Sequence, residues 1–389
     1  MIKNASIRVK TLSLFLNSIT LILLLRYTIL SSTLKWGTWS YAENLISYPN
    51  KFIRRGLLGE IILFISGDGP AFQTMQIVIF INCVLLLVMT FLIFKIFGLT
   101  LLQHNMLMLS SFGMMYMLYH GSSFNRKEIF AINFFLIFIF FLKKNKNTLT
   151  FNLKIFLLLS LVFTALIHEG LLFITVPFYF LILKPINKKT ANMYVFIGSA
   201  LLIFLLTQQG NDSDVINMWN QLNAFDRIQI NTDLKSSAIY AIAFTYERQI
   251  FEQSGLQIII SGRINHWLSV LFYFYIYIFI NHLGADSTTI KKFKDLFFKK
   301  EILYCLPLFF FGGADWGRYL IFYIYMYYFY FLYVSDSRSM GVSYSTKVPT
   351  LLIFSLYSFF TIIPEATFQD INIIAKLTNT FTILLNLFI

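Results

Sequence analysis

The sequence predicts an all-α fold, a polytopic integral membrane protein of about 12 transmembrane helices. Composition carries the first part of that prediction: of 389 residues, 57% are hydrophobic and only 13% are charged. Apolar runs of roughly 20 residues, long enough to cross a bilayer as helices, recur from one end of the chain to the other. Charge carries the last part, because the basic residues gather in alternate connections between those runs.

In chain order, residues 1–10 are basic, and the apolar run after them lacks a small-residue cleavage site. It therefore reads as a first span, 11–31, and not as a removable signal. Residues 32–72 form a first outer loop, in which "GLLGEIILFI" is an apolar segment of only about ten residues. That is too short to span, so it is expected to lie in the interface or to re-enter the bilayer. Spans 73–94, 99–119 and 129–142 follow, then 153–167 and 170–183, separated by the short "IHEG". Span 191–208 leads into a large outer loop, 209–263, and the chain ends with spans 264–283, 302–313, 318–334, 348–363 and 372–389. The whole of 1–389 is one membrane domain. Cys83 and Cys305 both fall inside spans, which argues against a structural disulfide.

With both termini inside, the inner loops and the helix end at Lys154 hold 18 of the 31 Lys and Arg but only four acids: Asp286, Asp295, Glu301 and Asp336. This is the positive-inside pattern, so the +13 net charge reports topology and gives no reason to invoke nucleic acid. No glycine-rich phosphate loop, zinc-spaced Cys/His cluster or dinucleotide fingerprint lies on the inner side, which disfavours an ATP-driven transporter.

The remaining charges collect at the outer face in "YPNKFIRRGLLGE", "YHGSSFNRKE", "IHEG", the large loop and "GADWGR". At about 1.5 Å per helical residue, His168 lies roughly 21 Å from Lys154, and Asp315 roughly 21 Å from Glu301. A hydrocarbon core is about 30 Å thick, so both turns stop short of the outer surface and outline a recessed polar pocket. Each motif also has a plainer interpretation. Asp315 and Arg318 form an internal ion pair, Trp316 is an interface anchor, and His168–Glu169 is an ordinary helix reversal. Arg54–Arg55 anchors to anionic head groups, "NRKE" starts a helix with Glu128 on its positive end, and 245–267 is an amphipathic surface segment.

Outward arginines beside an acid or histidine suit glycosyl transfer from a lipid-linked sugar phosphate. Guanidinium forks bind phosphate oxygens and offset the charge that develops on the leaving group. A carboxylate or imidazole takes the acceptor hydroxyl proton. The size, the number of spans, the abundant Phe, Ile and Asn, and the combination of "FIRRGLLGE", "NRKE", "HEG" and "DWGRYL" resemble the O-antigen polymerases (Wzy type) of Gram-negative bacteria. The resemblance covers the topology and about thirty residues of motif. It implies a glycosyltransferase-C-like architecture in the bacterial inner membrane, with both termini cytoplasmic and the active face periplasmic. The implied reaction moves an undecaprenyl-diphosphate-linked glycan onto a second lipid-linked repeat unit, without metal or cofactor and with a chain-length regulator protein as a candidate partner.

On that resemblance His168, Glu169 and Asp315 are the catalytic candidates, and Arg54, Arg55, Arg126 and Arg318 the diphosphate-binding ones. Arg248, Arg263 and His266 are candidates on the acceptor side, although the large loop is less arginine-dense than the resemblance implies. The main alternative is a polyprenyl-phosphate-sugar glycosyltransferase, which would use an outer acid soon after the first span, here Glu43 of "WSYAEN". A lipid-linked oligosaccharide flippase and a non-catalytic membrane scaffold are further alternatives.

Overall fold

The computed structural model describes residues 38–49, 51–99, 126–230, 234–243 and 316–334, together with residues 18, 104, 107 and 305. Six of the twelve expected spans, 11–31, 99–119, 264–283, 302–313, 348–363 and 372–389, lie outside the described residues or almost wholly so. What is described is mostly helical, with no strand among the described residues.

The helices are α1 (Thr38–Asn44), α2 (Leu57–Ser66), α3 (Ala71–Ile96), α4 (Glu128–Lys144), α5 (Phe151–Ile167), α6 (Leu172–Leu183), α7 (Lys188–Thr207), α8 (Asp212–Gln221), α9 (Ala224–Ile230) and α10 (Trp316–Val334). Of these, α3 and α7 are long and apolar enough to cross a membrane. Both carry exposed apolar residues, among them Ile77, Ile81 and Val88 on α3 and Phe196 and Ile203 on α7. Large apolar side chains left in contact with the surroundings suit a lipid environment.

Local chemistry sets the boundaries. Pro70 precedes α3, and Lys95 lies in its last turn. In α4, Glu128 occupies the first turn and Lys143 and Lys144 the last, each complementing the helix dipole. Thr150 caps α5 by accepting from the Leu153 N–H, and Asn187 caps α7 by accepting from the Thr190 N–H. The α5 helix ends at His168, whose backbone is extended, and a single 3₁₀ turn, Glu169–Leu171, restarts the chain into α6. That break is what lifts His168 and Glu169 out of regular helix.

Helix α4 sits between α3 and α5, α6 lies against α7, and α10 closes the group against α4 and α6. One polar clamp joins the first pair: the buried Asn133 amide donates to the Asn82 side-chain oxygen at 2.6 Å and to its carbonyl at 2.8 Å. Such bonds register apolar helices where the hydrophobic effect alone does not. Aromatic side chains fill the rest, with Phe135 on Tyr179 at 5.3 Å and Phe178 on Tyr323 at 5.6 Å between ring centroids. Cys83 and Cys305 are free thiols.

Two contacts show which helix ends meet. Lys143 lies over the rings of Phe97 and Tyr333, gathering the C-terminal ends of α3, α4 and α10. At the other end, His168 meets Tyr319 at the start of α10. The first part of the stretch read as a large loop, 209–263, forms α8 and α9. The reason is local: Asn211 and Asp214 make a reciprocal capping box that starts α8. This segment is fastened to the first loop by Lys51–Asp214 (2.9 Å), Ser47–Gln221 (3.0 Å) and the Arg54 N–H to the Gln208 carbonyl (3.1 Å).

Candidate functional site

Segment 41–56, the N-terminal end of α4, the α5–α6 break and the first turn of α10 converge at the end opposite Lys143. Five of the residues expected in the site, Arg54, Arg55, Arg126, His168 and Glu169, meet there. Four are buried, and Arg55 keeps 26% of its side chain exposed.

Glu169 is the first centre of the cluster. Arg55 forks onto it, with Nε 3.0 Å from both carboxylate oxygens and Nη2 2.8 Å from Oε1. Arg54 Nη1 adds a contact at 3.3 Å. Burial works against a charged carboxylate here, but Arg55 and Arg54 overcome it and hold the Glu169 carboxyl well below the usual range. The same ion pair keeps the Arg55 guanidinium charged in spite of its burial. Because Nε and Nη2 face Glu169, planarity turns the Nη1 edge of Arg55 away from that carboxylate. Arg55 has a backbone φ of 68°, in the left-handed region that non-glycine residues seldom occupy.

Glu43 is the second centre. One oxygen lies 3.3 Å from Arg126 Nη1 and the other 3.5 Å from His168 Nε2. His168 Nδ1 accepts from the Gly170 N–H at 3.1 Å, so the proton of the neutral ring sits on Nε2 and points at Glu43. Neither ring nitrogen then offers a lone pair to a substrate. The sequence had placed Glu43 only in the alternative reading, and its neighbours in space are not readable from "WSYAEN". Two further residues were absent from the expected set: Lys127, buried with Nζ 3.2 Å from the Arg55 carbonyl, and Tyr319, whose ring meets that of His168 edge-on.

Arg318 lies in the first turn of α10, adjacent to Tyr319, and its side chain is outside the described residues, as are Asp315, Arg248, Arg263 and His266. Among the described residues, no three His, Cys, Asp or Glu side chains converge in a way that could hold a metal ion. Four cations (Arg54, Arg55, Arg126, Lys127) and two carboxylates (Glu43, Glu169) meet among the described residues at this end. No protein-family model, curated protein or solved structure matches the chain.

Proposed function

We propose that the chain is a multi-pass inner-membrane glycosyltransferase of the surface-polysaccharide polymerase type, with the Arg55 cluster at its periplasmic face. It would transfer an undecaprenyl-diphosphate-linked glycan onto a lipid-linked repeat unit. The observation that carries this reading is Arg55, a guanidinium oriented by a carboxylate fork, partly exposed, with its Nη1 edge turned away from that carboxylate. A guanidinium so held is pre-organised for a phosphate oxygen and for the charge that develops there as the glycosidic bond breaks.

In the proposed reaction the acceptor hydroxyl oxygen bonds to the anomeric carbon as the bond from that carbon to the phosphate oxygen breaks. The electron pair leaves with the lipid phosphate, and the hydroxyl proton passes to a carboxylate. Of the described groups, Glu43 suits that last role best. Glu169 is committed to two arginines, which hold its carboxyl well below the usual range, whereas Glu43 makes single, longer contacts to Arg126 (3.3 Å) and His168 (3.5 Å). Asp315 is the other carboxylate proposed for the step.

The position of Glu43 also favours the second reading, transfer of a single sugar from a polyprenyl monophosphate, since that chemistry calls for an acid soon after the first span. Lipopolysaccharide profiling of a gene deletion separates the readings. Loss of a polymerase leaves core plus one repeat unit, and loss of an essential sugar transferase or a flippase leaves no repeat at all. An unchanged ladder would overturn both enzyme readings. Orientation is tested by cysteine labelling, with the exposed position Lys235 expected to react from the periplasm and Lys292 from the cytoplasm.

A further inference from the structure

Lys127 is among the largest fully buried side chains of the protein, with 1% of its surface exposed. It directly precedes α4, where a cation opposes the helix dipole, and a buried ammonium is costly unless its protons are bonded. Its Nζ donates to the Arg55 carbonyl at 3.2 Å. Arg55 carries a cost of its own, because its φ of 68° is in the left-handed region, a strained conformation that persists only where the surroundings enforce it. Two unfavourable features thus meet at one hydrogen bond.

What they produce together is the direction of the Arg55 side chain. The backbone turn at Arg55 sets where its guanidinium goes, and the guanidinium lands with Nε and Nη2 on Glu169. Arg54, one residue earlier, is fastened through its N–H to Gln208, so the peptide is held from both sides. Helix α4, itself registered on α3 by Asn133, supplies the fixed point from which Lys127 acts.

We infer that Lys127 is a positioning residue: its ammonium holds the Arg55 carbonyl and so aims the Arg55 guanidinium at Glu169, with one edge left for an anion. The anion-binding meaning rests on the proposed function, but the aiming does not, and the two can fail separately.

Phenylglyoxal modification of the full chain in nanodiscs, read at Arg55 by peptide mass spectrometry, tests the aiming. Lys127→Met and Lys127→Gln remove the long charged donor and are expected to raise the Arg55 reaction rate several-fold. Lys127→Arg, which keeps a donor, is expected to stay near wild type. An unchanged Arg55 rate in either neutral variant that accumulates in the membrane would overturn the assignment. Loss of both from the membrane would overturn it too, making Lys127 a folding residue. Binding of undecaprenyl phosphate to the same nanodiscs is the second readout. Weaker binding in Lys127→Met, restored in Lys127→Arg, extends the aiming to the proposed ligand. An altered Arg55 rate with no binding even in wild type keeps the aiming and discards the proposed ligand.

Discussion

Two sets of buried carboxylates differ in what they face. In the segment 208–230, Asp214 caps α8 from within its own turn, and Asp226 accepts from the N–H groups of Ala71 and Phe72 at 3.1 and 2.9 Å. Those acids tie off backbone donors at helix starts. At the α5–α6 break, Glu43 and Glu169 face arginine and histidine side chains contributed by segments far apart in sequence. Residue type does not separate the two sets; Asp214 also pairs with the half-exposed Lys51, so the difference lies between backbone donors with one exposed lysine and several buried side-chain partners. A carboxylate on backbone N–H groups completes a fold, whereas one among side-chain cations holds groups whose chemistry also suits a ligand.

The largest effect should come from Glu169→Gln. It strands Arg54 and Arg55 without their counter-charge, and losing one member of a buried ion pair typically costs about 3–5 kcal/mol. Thermal unfolding in detergent should show it as a large drop, and a melting point near wild type would put Glu169 in the same class as Asp214. Glu43→Gln should disturb folding less, because its amide oxygen can keep one of the two contacts, to Arg126 or to His168, and only the other donor is left facing the NH2 group. Proposed glycosyl transfer should nevertheless fall about 10²-fold or more, the usual loss on removing a general base. Full transfer activity in Glu43→Gln would return the base role to Asp315.

The two sets should also answer to pH with opposite sign. Glu169 has its folded pKa lowered, so its stabilisation is present above the ordinary carboxylate pKa and is lost as pH falls through the folded value. Asp226 has its pKa raised by burial, although the Phe72, Ala71 and Asn223 hydrogen bonds pull the other way. Its contribution is present below the unfolded pKa and is lost as pH rises through the folded one. Asp226→Asn should therefore flatten the decline on the neutral side of a stability–pH curve, and Glu169→Gln the decline on the acid side. Parallel changes in the two variants would dissolve the distinction. The smallest effect belongs to Lys51→Met, since a lysine that is 47% exposed pairs with Asp214 for about 0–1 kcal/mol. A larger loss would show that the 208–230 segment depends on that pair.

Helix positions were legible because long apolar runs between lysine-rich ends leave few alternatives. The run expected at 73–94 forms α3, that at 129–142 forms α4, and that at 191–208 forms α7, each within a few residues. "GLLGEIILFI" indeed forms a short helix, α2. Helices α8 and α9 were missed because hydropathy says nothing about polar helices, although the "NDSD" capping box was there to be read. In the site, the residue types were legible and the pairings were not. Arg55 and Glu169 are 114 positions apart, and nothing local in "FIRRG" or "IHEG" encodes their meeting. The left-handed turn at Arg55 was equally hidden, since arginine carries no signal for it, and "NRKE" gave no sign that Lys127 would reach that turn.

Helix α2 crosses segment 41–48 so closely that a methyl group on Gly59 would overlap the Ile46 carbonyl oxygen, and one on Gly56 would overlap the Tyr48 ring. Ile46 is three residues from Glu43, so the shape of that crossing bears on the site, while Phe64 and Ile65 on the same helix stay exposed. In a saturation library of this stretch, position 59 should therefore tolerate no replacement. Position 56 should accept at most the few that an aromatic ring can make room for, and positions 64 and 65 any apolar one. A short apolar helix would then divide into two tracks, a rigid glycine track turned towards segment 41–48 and a freely drifting track on its exposed side.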